Sequence, residues 1–159
     1  MIEGLAGSER AYRGCEIPPE LLYDVERDVW IRPDDDGTLT LGMTDPAQTR
    51  SGKFLHVQFK KVGRHLDAGQ SAATVETAKW AGPFPTPLAG TVLETNERTF
   101  AADILIANRD PYGAGWIVRL RPDAWPPTGE LGLVTGPEAR IRYEARIDAL
   151  GLSCIRCAD

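Results

Sequence analysis

Short strand-like segments, separated by turn residues roughly every eight to twelve residues, run through most of this chain. The segments with this character are 29–32, 38–43, 53–60, 71–77, 86–95 and 116–120. Asp34–Gly37 is a strong hairpin turn, and 16 glycines and 12 prolines suit further tight turns. The pattern predicts a mainly β fold, a sandwich or flattened barrel with short helices near both ends.

Helical character is confined to a few stretches. We expect at most one or two helical turns in residues 16–23 and one short, N-capped helical turn at residues 44–48. Residues 101–107 are predicted to form a short helix. Gly136-Pro137 places proline at the start of a longer helix that runs to about Leu150, with Gly151 at its end.

One strand carries a clear alternation. In 53–60, Leu55, Val57 and Phe59 recur with period two, which predicts that they share a buried face and that His56 points outward.

Composition limits the classes of function. The hydrophobic fraction of 42% and charged fraction of 26% over 159 residues are those of one ordinary globular domain. A net charge of −5 argues against a nucleic-acid partner. No apolar run approaches the ~20 residues that would span a bilayer, and residues 1–10 do not resemble a signal peptide. We therefore expect a cytoplasmic protein with neither a membrane nor a nucleic acid as partner.

The chain divides into three parts on these patterns. Residues 1–14 are expected to form a loose leader and residues 15–122 the β domain. Residues 123–159 are expected to hold a Pro-rich connection, a C-terminal helix and a cysteine-containing tail.

The histidines and the aspartate run lack the partner residues that catalysis or metal binding requires. His56 and His65 have no nucleophile or carboxylate at a spacing typical of catalysis. The Asp34–Asp36 run is better explained as a turn than as a metal loop, which needs more oxygen ligands at regular spacing. The prediction is that the chain has no catalytic residues and no metal site.

Three cysteines leave several alternatives. Cys154 and Cys157 form a CxxC pair, but no second pair or nearby histidine accompanies it, so a zinc site is disfavoured. A redox role for Cys15, Cys154 and Cys157 is one alternative. Inert thiols are the default interpretation.

Lys79 lies in a turn between strand-like runs, where a lysine is ordinarily just solvated. The residues around it, however, belong to a series of stretches that resemble, in order, the glycine cleavage system H-protein family. These stretches are 41–48 (Leu-Gly-Met-Thr-Asp-Pro-Ala-Gln), 62–63, 68–69, 75–79 (Val-Glu-Thr-Ala-Lys), 87–92 (Pro-Leu-Ala-Gly-Thr-Val), 96–97 and 110–116 (Asp-Pro-Tyr-Gly-Ala-Gly-Trp).

The resemblance implies a lipoyl-domain-type β-sandwich with lipoate in amide linkage to Lys79. It also implies a carrier that acts with partner enzymes rather than an enzyme. Biotin carriers share this architecture but flank their lysine with methionines. Here Ala78 and Trp80 flank the lysine, so lipoate is favoured over biotin. Glu76 is either surface charge or a contact for the ligase. Trp80 could contact the arm, although packing or partner contact is the favoured role.

Two departures from the family bear on the client, the partner enzyme that uses the carried group. Gly82-Pro83 replaces the acidic pair that usually follows the lysine, and Lys60-Lys61 makes the preceding strand basic. The N-terminal part, with Cys15 and Trp30, resembles the H-protein-like lipoate-binding proteins of sulfur oxidisers, which work with a heterodisulfide-reductase-like complex. Sulfur intermediates are therefore the expected cargo, and the aminomethyl group of glycine cleavage is the alternative.

The resemblance also implies the remaining partners. A lipoate-protein ligase or lipoyl synthase would load the lysine, and dihydrolipoamide dehydrogenase would reoxidise the arm. An alternative of another class is an unmodified lipoyl-fold interaction module.

Overall fold

The computed structural model describes residues 11–126 and 132–155, which form twelve strands and four helices. The strands are β1 Ala11–Tyr12, β2 Cys15–Glu16, β3 Leu22–Asp24, β4 Val29–Pro33, β5 Leu39–Met43, β6 Phe54–Phe59, β7 His65–Leu66, β8 Ser71–Thr77, β9 Ala81–Pro85, β10 Gly90–Thr95, β11 Val118–Pro122 and β12 Val134–Thr135. The helices are α1 Asp45–Ser51, α2 Glu97–Ala102, α3 Ile106–Arg109 and α4 Gly136–Leu150. The predicted mainly β fold with a C-terminal helix is confirmed.

The strands form three antiparallel sheets. The large sheet has the order β12-β3-β4-β5-β11-β10-β7, the small sheet has the order β6-β8-β9, and β1 pairs with β2. Since β1 and β2 pair across residues 11–16, the boundary expected after residue 14 falls inside this hairpin.

The main core lies between the large and the small sheet. Leu41 and Leu120 of the large sheet and Phe54, Val75 and Phe84 of the small sheet belong to one buried cluster. This arrangement is the sandwich that the alternating segments predict, because each sheet buries one apolar face against the other.

A second core covers the opposite face of the large sheet. Trp30 of β4 is fully buried there with Ala139, Tyr143 and Ile147 of α4. Its neighbour Ile31 faces the main core, so β4 is buried on both faces and α4 is an integral part of the molecule.

The ends of α4 follow the sequence signals. Proline occupies the first turn, and Gly151 at the C-cap has φ 61° and ψ 32°, the left-handed conformation that glycine adopts readily. The predicted bounds of this helix are confirmed.

Two predicted helical stretches differ from the structure. Residues 16–23 form part of β2, a turn and part of β3, because Tyr23 pairs with Trp30 in a sheet ladder. The helix expected at 101–107 is divided into α2 and α3, since the backbone at Asp103 is extended, with φ −154° and ψ 91°.

The prediction that Leu55 shares the buried face of β6 is wrong. The register shifts between Phe54 and His56, so Phe54 and Val57 point into the core while Leu55 is 57% exposed. A bulge of this kind inserts one residue and reverses the alternation beyond it.

The hairpin partner of β8 also differs from the expectation. β8 spans Ser71–Thr77 as predicted, but it pairs with β9 at Ala81–Pro85 rather than with residues 86–95. Strand β10 instead lies between β11 and β7 in the large sheet. Pro83 and Pro85 are tolerated because β9 is an edge strand.

Candidate functional site

Lys79 lies at the tip of the β8–β9 hairpin, in a two-residue turn with Ala78. Thr77 and Trp80 close the turn, and the N–H of Thr77 donates to the carbonyl oxygen of Trp80 at 2.7 Å. The Thr77 hydroxyl accepts the N–H of Trp80 at 3.0 Å. The Lys79 side chain is exposed, so the turn presents its amine to solvent on a tightly closed backbone.

A loop after α1 supports this turn from one side. The N–H of Ala78 donates to the carbonyl oxygen of Lys53 at 2.9 Å, and the N–H of Lys79 donates to that of Ser51 at 3.1 Å. Between them, Gly52 has φ 83° and ψ −169°, a conformation that is essentially restricted to glycine. A Cβ at residue 52 would lie 3.5 Å from Cγ of Lys79, so a side chain larger than that of glycine would press on the lysine stem.

Two buried amide side chains hold that loop in place. The Asn108 amide nitrogen donates to the Gly52 carbonyl at 3.1 Å and to Oε1 of Gln48 at 2.9 Å. Its oxygen accepts the N–H of Phe54 at 2.9 Å. Gln48 in turn donates to Oδ1 of Asp45 at 2.7 Å. Because each of these side chains is at most 2% exposed, the network fixes the base of the lysine turn with little freedom.

A cleft of about 450 Å³ opens on one side of Lys79. Its apolar wall includes Met43, Trp80 and Phe84, and charged side chains such as Arg50 and Asp28 line the rest. The cleft thus combines an apolar surface with both signs of charge next to the lysine amine.

Asp28 is a partly buried carboxylate in the wall of this cleft. It accepts hydrogen bonds from the Tyr143 hydroxyl and from Nη1 of Arg146, each at 2.9 Å. Burial raises the pKa of the Asp28 carboxyl, and the two donors oppose that rise. Asp28 therefore joins the cleft to the face of α4.

A second cleft, of about 290 Å³, lies on the other side of Lys79. Lys53, Asn108 and Ile155 line it together with the lysine. Ile155 belongs to the segment after α4, so residues far apart in the chain meet at this point.

The predicted contact residues near the lysine are both exposed. Glu76 lies on β8, three residues before Lys79, and its side chain faces solvent. Trp80 is 41% exposed. A Cβ at Gly82 would lie 2.6 Å from Cζ2 of Trp80, so the indole lies over Gly82 and forms part of the first cleft.

The cysteine expectations need one correction. Cys15 and Cys154 form a disulfide, so these two residues are not the inert thiols of the default interpretation. The bond joins β2 to the segment after α4, across a sequence separation of 139 residues, and no local pattern reveals such a pairing. Cys157 lies outside the described residues.

Several residues of the site are not evident from the sequence. Gln48 occurs in a stretch that resembles the H-protein family, but nothing indicates its contact with Asn108. Asn108 and Ile155 carry no sequence signal, because their roles depend on contacts between distant parts of the chain.

Two features are absent from the described ranges, 11–126 and 132–155. These ranges contain no group of three or more His, Cys, Asp or Glu side chains that could hold a metal ion. No helix within them is long and apolar enough to cross a membrane.

Comparison with known families gives one match over most of the chain. The sequence profile of the family described as "Glycine cleavage H-protein" matches residues 21–141. The "Glycine cleavage system H protein 3" of Aquifex aeolicus is 40% identical over 153 residues, which cover 95% of this chain and 94% of the relative. The "Probable glycine cleavage system H protein 2" of Sulfurisphaera tokodaii is 38% identical, with 89% and 95% covered.

A solved structure agrees with these sequence matches. The crystal structure of a glycine cleavage system H protein from Mycobacterium marinum has a TM-score of 0.67 and 30% sequence identity. The match covers 80% of this chain and 98% of the other. The lipoyl-type sandwich implied by the sequence resemblance is confirmed.

Proposed function

Because this chain belongs to the glycine cleavage H-protein family, we propose that it carries lipoate on Lys79 and passes an intermediate between partner enzymes. Proteins of this family carry covalently attached lipoate on a lysine and work with the glycine cleavage enzymes and with lipoate ligase. They are carriers rather than catalysts.

The position of Lys79 is the observation that carries this proposal. The chain has four lysines, Lys53, Lys60, Lys61 and Lys79, and Lys79 alone among them lies at a hairpin tip. Its backbone is held by the loop at Ser51–Lys53, while its side chain extends between two clefts. A ligase and a client enzyme can both surround an amine in such a place.

Acylation changes the chemistry of this position in two ways. Formation of the amide removes the positive charge of Lys79 and lengthens its side chain. The dithiolane at the end of the arm supplies two sulfur atoms that can be reduced, loaded and reoxidised. The residues of this chain hold the attachment point and offer surfaces beside it.

Mass spectrometry of Lys79→Arg tests the attachment site. The wild-type protein is incubated with lipoate-protein ligase, ATP and lipoate, and its intact mass should rise by one lipoyl group. Lys79→Arg should show no increment. Lys53→Arg is the matched control, because Lys53 is exposed and lines the same cleft as Lys79; it should be modified like the wild type. A lipoyl group on Lys79→Arg would disprove the assignment.

The aminomethyl group of glycine cleavage is the cargo that the family supports best. The sulfur-oxidation client expected from the sequence rests on the departures at Gly82-Pro83 and Lys60-Lys61, and the relatives reported above do not support it. The two clients can be separated by loading the lipoylated protein with glycine and a glycine-decarboxylating partner, or with a sulfane-sulfur donor and a heterodisulfide-reductase-like complex. We expect a stable adduct only in the first case.

The remaining partners and the location belong to the same proposal. Lipoyl synthase is an alternative route for loading Lys79, and dihydrolipoamide dehydrogenase would reoxidise the reduced arm. A cytoplasmic location stays a prediction that cell fractionation would test.

A further inference from the structure

The segment after α4 is fixed beside the lysine turn by a covalent bond and by hydrogen bonds. Cys154 is bonded to Cys15, and its N–H donates to the carbonyl oxygen of Arg13 at 3.0 Å. The carbonyl oxygen of the next residue, Ile155, accepts a hydrogen bond from Nε2 of Gln48 at 3.0 Å. Gln48 is one of the buried amides that support the lysine turn, so the segment contacts the base of the site.

Ile155 occupies an unusual position for an isoleucine. Its side chain is 75% exposed, yet it lines the second cleft with Lys79. Its N–H donates to the hydroxyl of Thr49 at 3.3 Å. Core packing does not explain a large apolar side chain held at the surface in this way. Its effect is to form one wall of the cleft next to the lysine.

The disulfide is the strongest element of this attachment. Cys15 is fully buried and Cys154 is partly exposed. Leu152 at the start of the segment packs against the second core. Beyond it, Ile155 is 75% exposed and its contacts are hydrogen bonds to Gln48 and Thr49, and chain ends held in this way open locally at low free-energy cost. Cleavage of the sulfur–sulfur bond should therefore release residues 153–155 while Leu152 and the two cores keep their packing.

We propose that the Cys15–Cys154 disulfide is a redox-controlled clasp on the lipoyl-lysine site. In the oxidised form, the segment 153–155 holds Ile155 as a wall beside Lys79 and limits access to its amine from that side. In the reduced form, the wall is released and the lysine reacts faster. The inference rests on the proposed role of Lys79 as the acceptor.

A dithiol is the chemical class that would open the clasp. One thiolate of the dithiol attacks a sulfur of the disulfide, and a mixed disulfide forms as the other cysteine sulfur leaves. The second thiol of the reagent then displaces the remaining cysteine. The products are two protein thiols and one oxidised cyclic disulfide, so two electrons and two protons pass from the dithiol to Cys15 and Cys154.

Ligase kinetics with the full-length, unlipoylated protein test the proposal. The oxidised wild type, the same protein reduced with dithiothreitol, and Cys154→Ser are compared as substrates of lipoate-protein ligase. We expect reduction and Cys154→Ser each to lower KM for the carrier about fivefold, with little change in kcat. A small free-energy difference, such as that of a modest local opening, changes an equilibrium constant by about this factor. Cys157→Ser is the matched control: it keeps both bonded cysteines and should behave as the wild type in each redox state.

Hydrogen exchange shows whether the effect comes from the clasp. The amides of Cys154 and Ile155 should exchange faster after reduction, while those of β4 and β5 keep their protection. Equal KM values for the oxidised and reduced protein would overturn the proposal. So would a loss of protection throughout β4 and β5, because the change in KM would then reflect general unfolding.

A chemical probe separates this proposal from the proposed function. If the ligase modifies none of the forms, the role of Lys79 as acceptor is wrong. Acylation of Lys79 by a small amine-reactive ester, read by peptide mass, then still decides whether the clasp limits access. Equal acylation rates before and after reduction would exclude it.

Discussion

Two glycines leave room for tryptophan rings, one in the core and one beside the lysine turn. A Cβ at Gly42 would lie 2.4 Å from the ring of Trp30, and a Cβ at Gly82 would lie 2.6 Å from that of Trp80. Trp30 is fully buried, whereas Trp80 is 41% exposed. The same local clash therefore has different consequences, because only the second ring can move into solvent.

Alanine at these two glycines should separate stability from site structure. We expect Gly42→Ala to lower the free energy of unfolding by about 3 kcal/mol, since a buried ring cannot yield without cost. Gly82→Ala should cost less than about 1 kcal/mol but move Trp80 out of the first cleft. Denaturant unfolding and tryptophan fluorescence measure the two effects. Equal losses of stability would show that Trp80 is as constrained as Trp30.

His65 provides a residue whose charge affects stability. Its Nε2 lies 2.8 Å from Oδ2 of Asp123. The hydrogen bond to Asp123 raises the pKa of His65 above its ordinary 6.5, and the charges of Asp123 and Asp67 add to the rise. A raised pKa means that the folded state binds the proton more tightly, so the contribution is complete below pH ~6.5 and is lost as the pH rises through the higher, folded-state value.

Asp123→Asn should remove most of the pH dependence of stability that His65 contributes. The melting temperature of the variant should fall below that of the wild type in mildly acidic buffer, and the difference should shrink as the pH rises above neutrality. An NMR titration of His65 should show a lower pKa in the variant. Asp67→Asn is the control, because Asp67 is 4.0 Å from the ring and its loss should matter less. A pKa unchanged in Asp123→Asn would contradict the assignment.

At the scale of elements, α1, α3 and the β6 edge meet at one buried side chain. Asn108 bonds to Gln48 of α1, to the Gly52 carbonyl and to the N–H of Phe54. Removing it leaves several buried polar groups without this partner. The position of the lysine turn therefore depends on a residue of a different helix.

Asn108→Ala should lower the free energy of unfolding by about 2–3 kcal/mol, because buried donors and acceptors lose their partner. It should also slow lipoylation of Lys79 in the folded fraction. Asn96→Ala is the matched control: Asn96 is buried too and donates to the carbonyls of Ala114 and Trp116, which do not support the lysine turn. The idea fails if both variants are lipoylated at the same rate when folded.

The elements that the sequence predicts well are those defined by local signals. The bounds of α4 follow from Gly136-Pro137 and Gly151, and β8 follows from its strand-like composition between turn residues. β9 is missed because prolines disfavour a strand unless it lies at a sheet edge, and edge position is a property of the whole sheet. The exposed Leu55 is missed because a bulge depends on the partner strand.

The candidate site likewise has parts that local sequence signals predict and parts that depend on the folded structure. Lys79 and its turn are predictable, since the motif is contiguous. The supporting residues Gln48, Asn108 and Ile155 come from three distant segments, so their contacts exist only after folding. Their sequence context carries little information about that arrangement.

At the scale of the whole molecule, the disulfide joins the two ends of the described chain. We expect Cys154→Ser to lower the free energy of unfolding by about 4 kcal/mol, because the bond closes a loop of more than a hundred residues in the unfolded chain. Cys157→Ser should leave the denaturation midpoint near that of the wild type under non-reducing conditions. Identical midpoints for all three proteins would show that the bond does not form in solution.

The rigid support of the lysine turn has a consequence for how a tethered group searches for its partner. Because Ala78 and Lys79 are bonded through their backbone to the Ser51–Lys53 loop, the pivot itself contributes little motion. The volume swept by the proposed lipoyl arm is then set by the rotatable bonds beyond Cα of Lys79. A docked client within that volume meets the group at a high effective concentration, and one docked beyond it meets none.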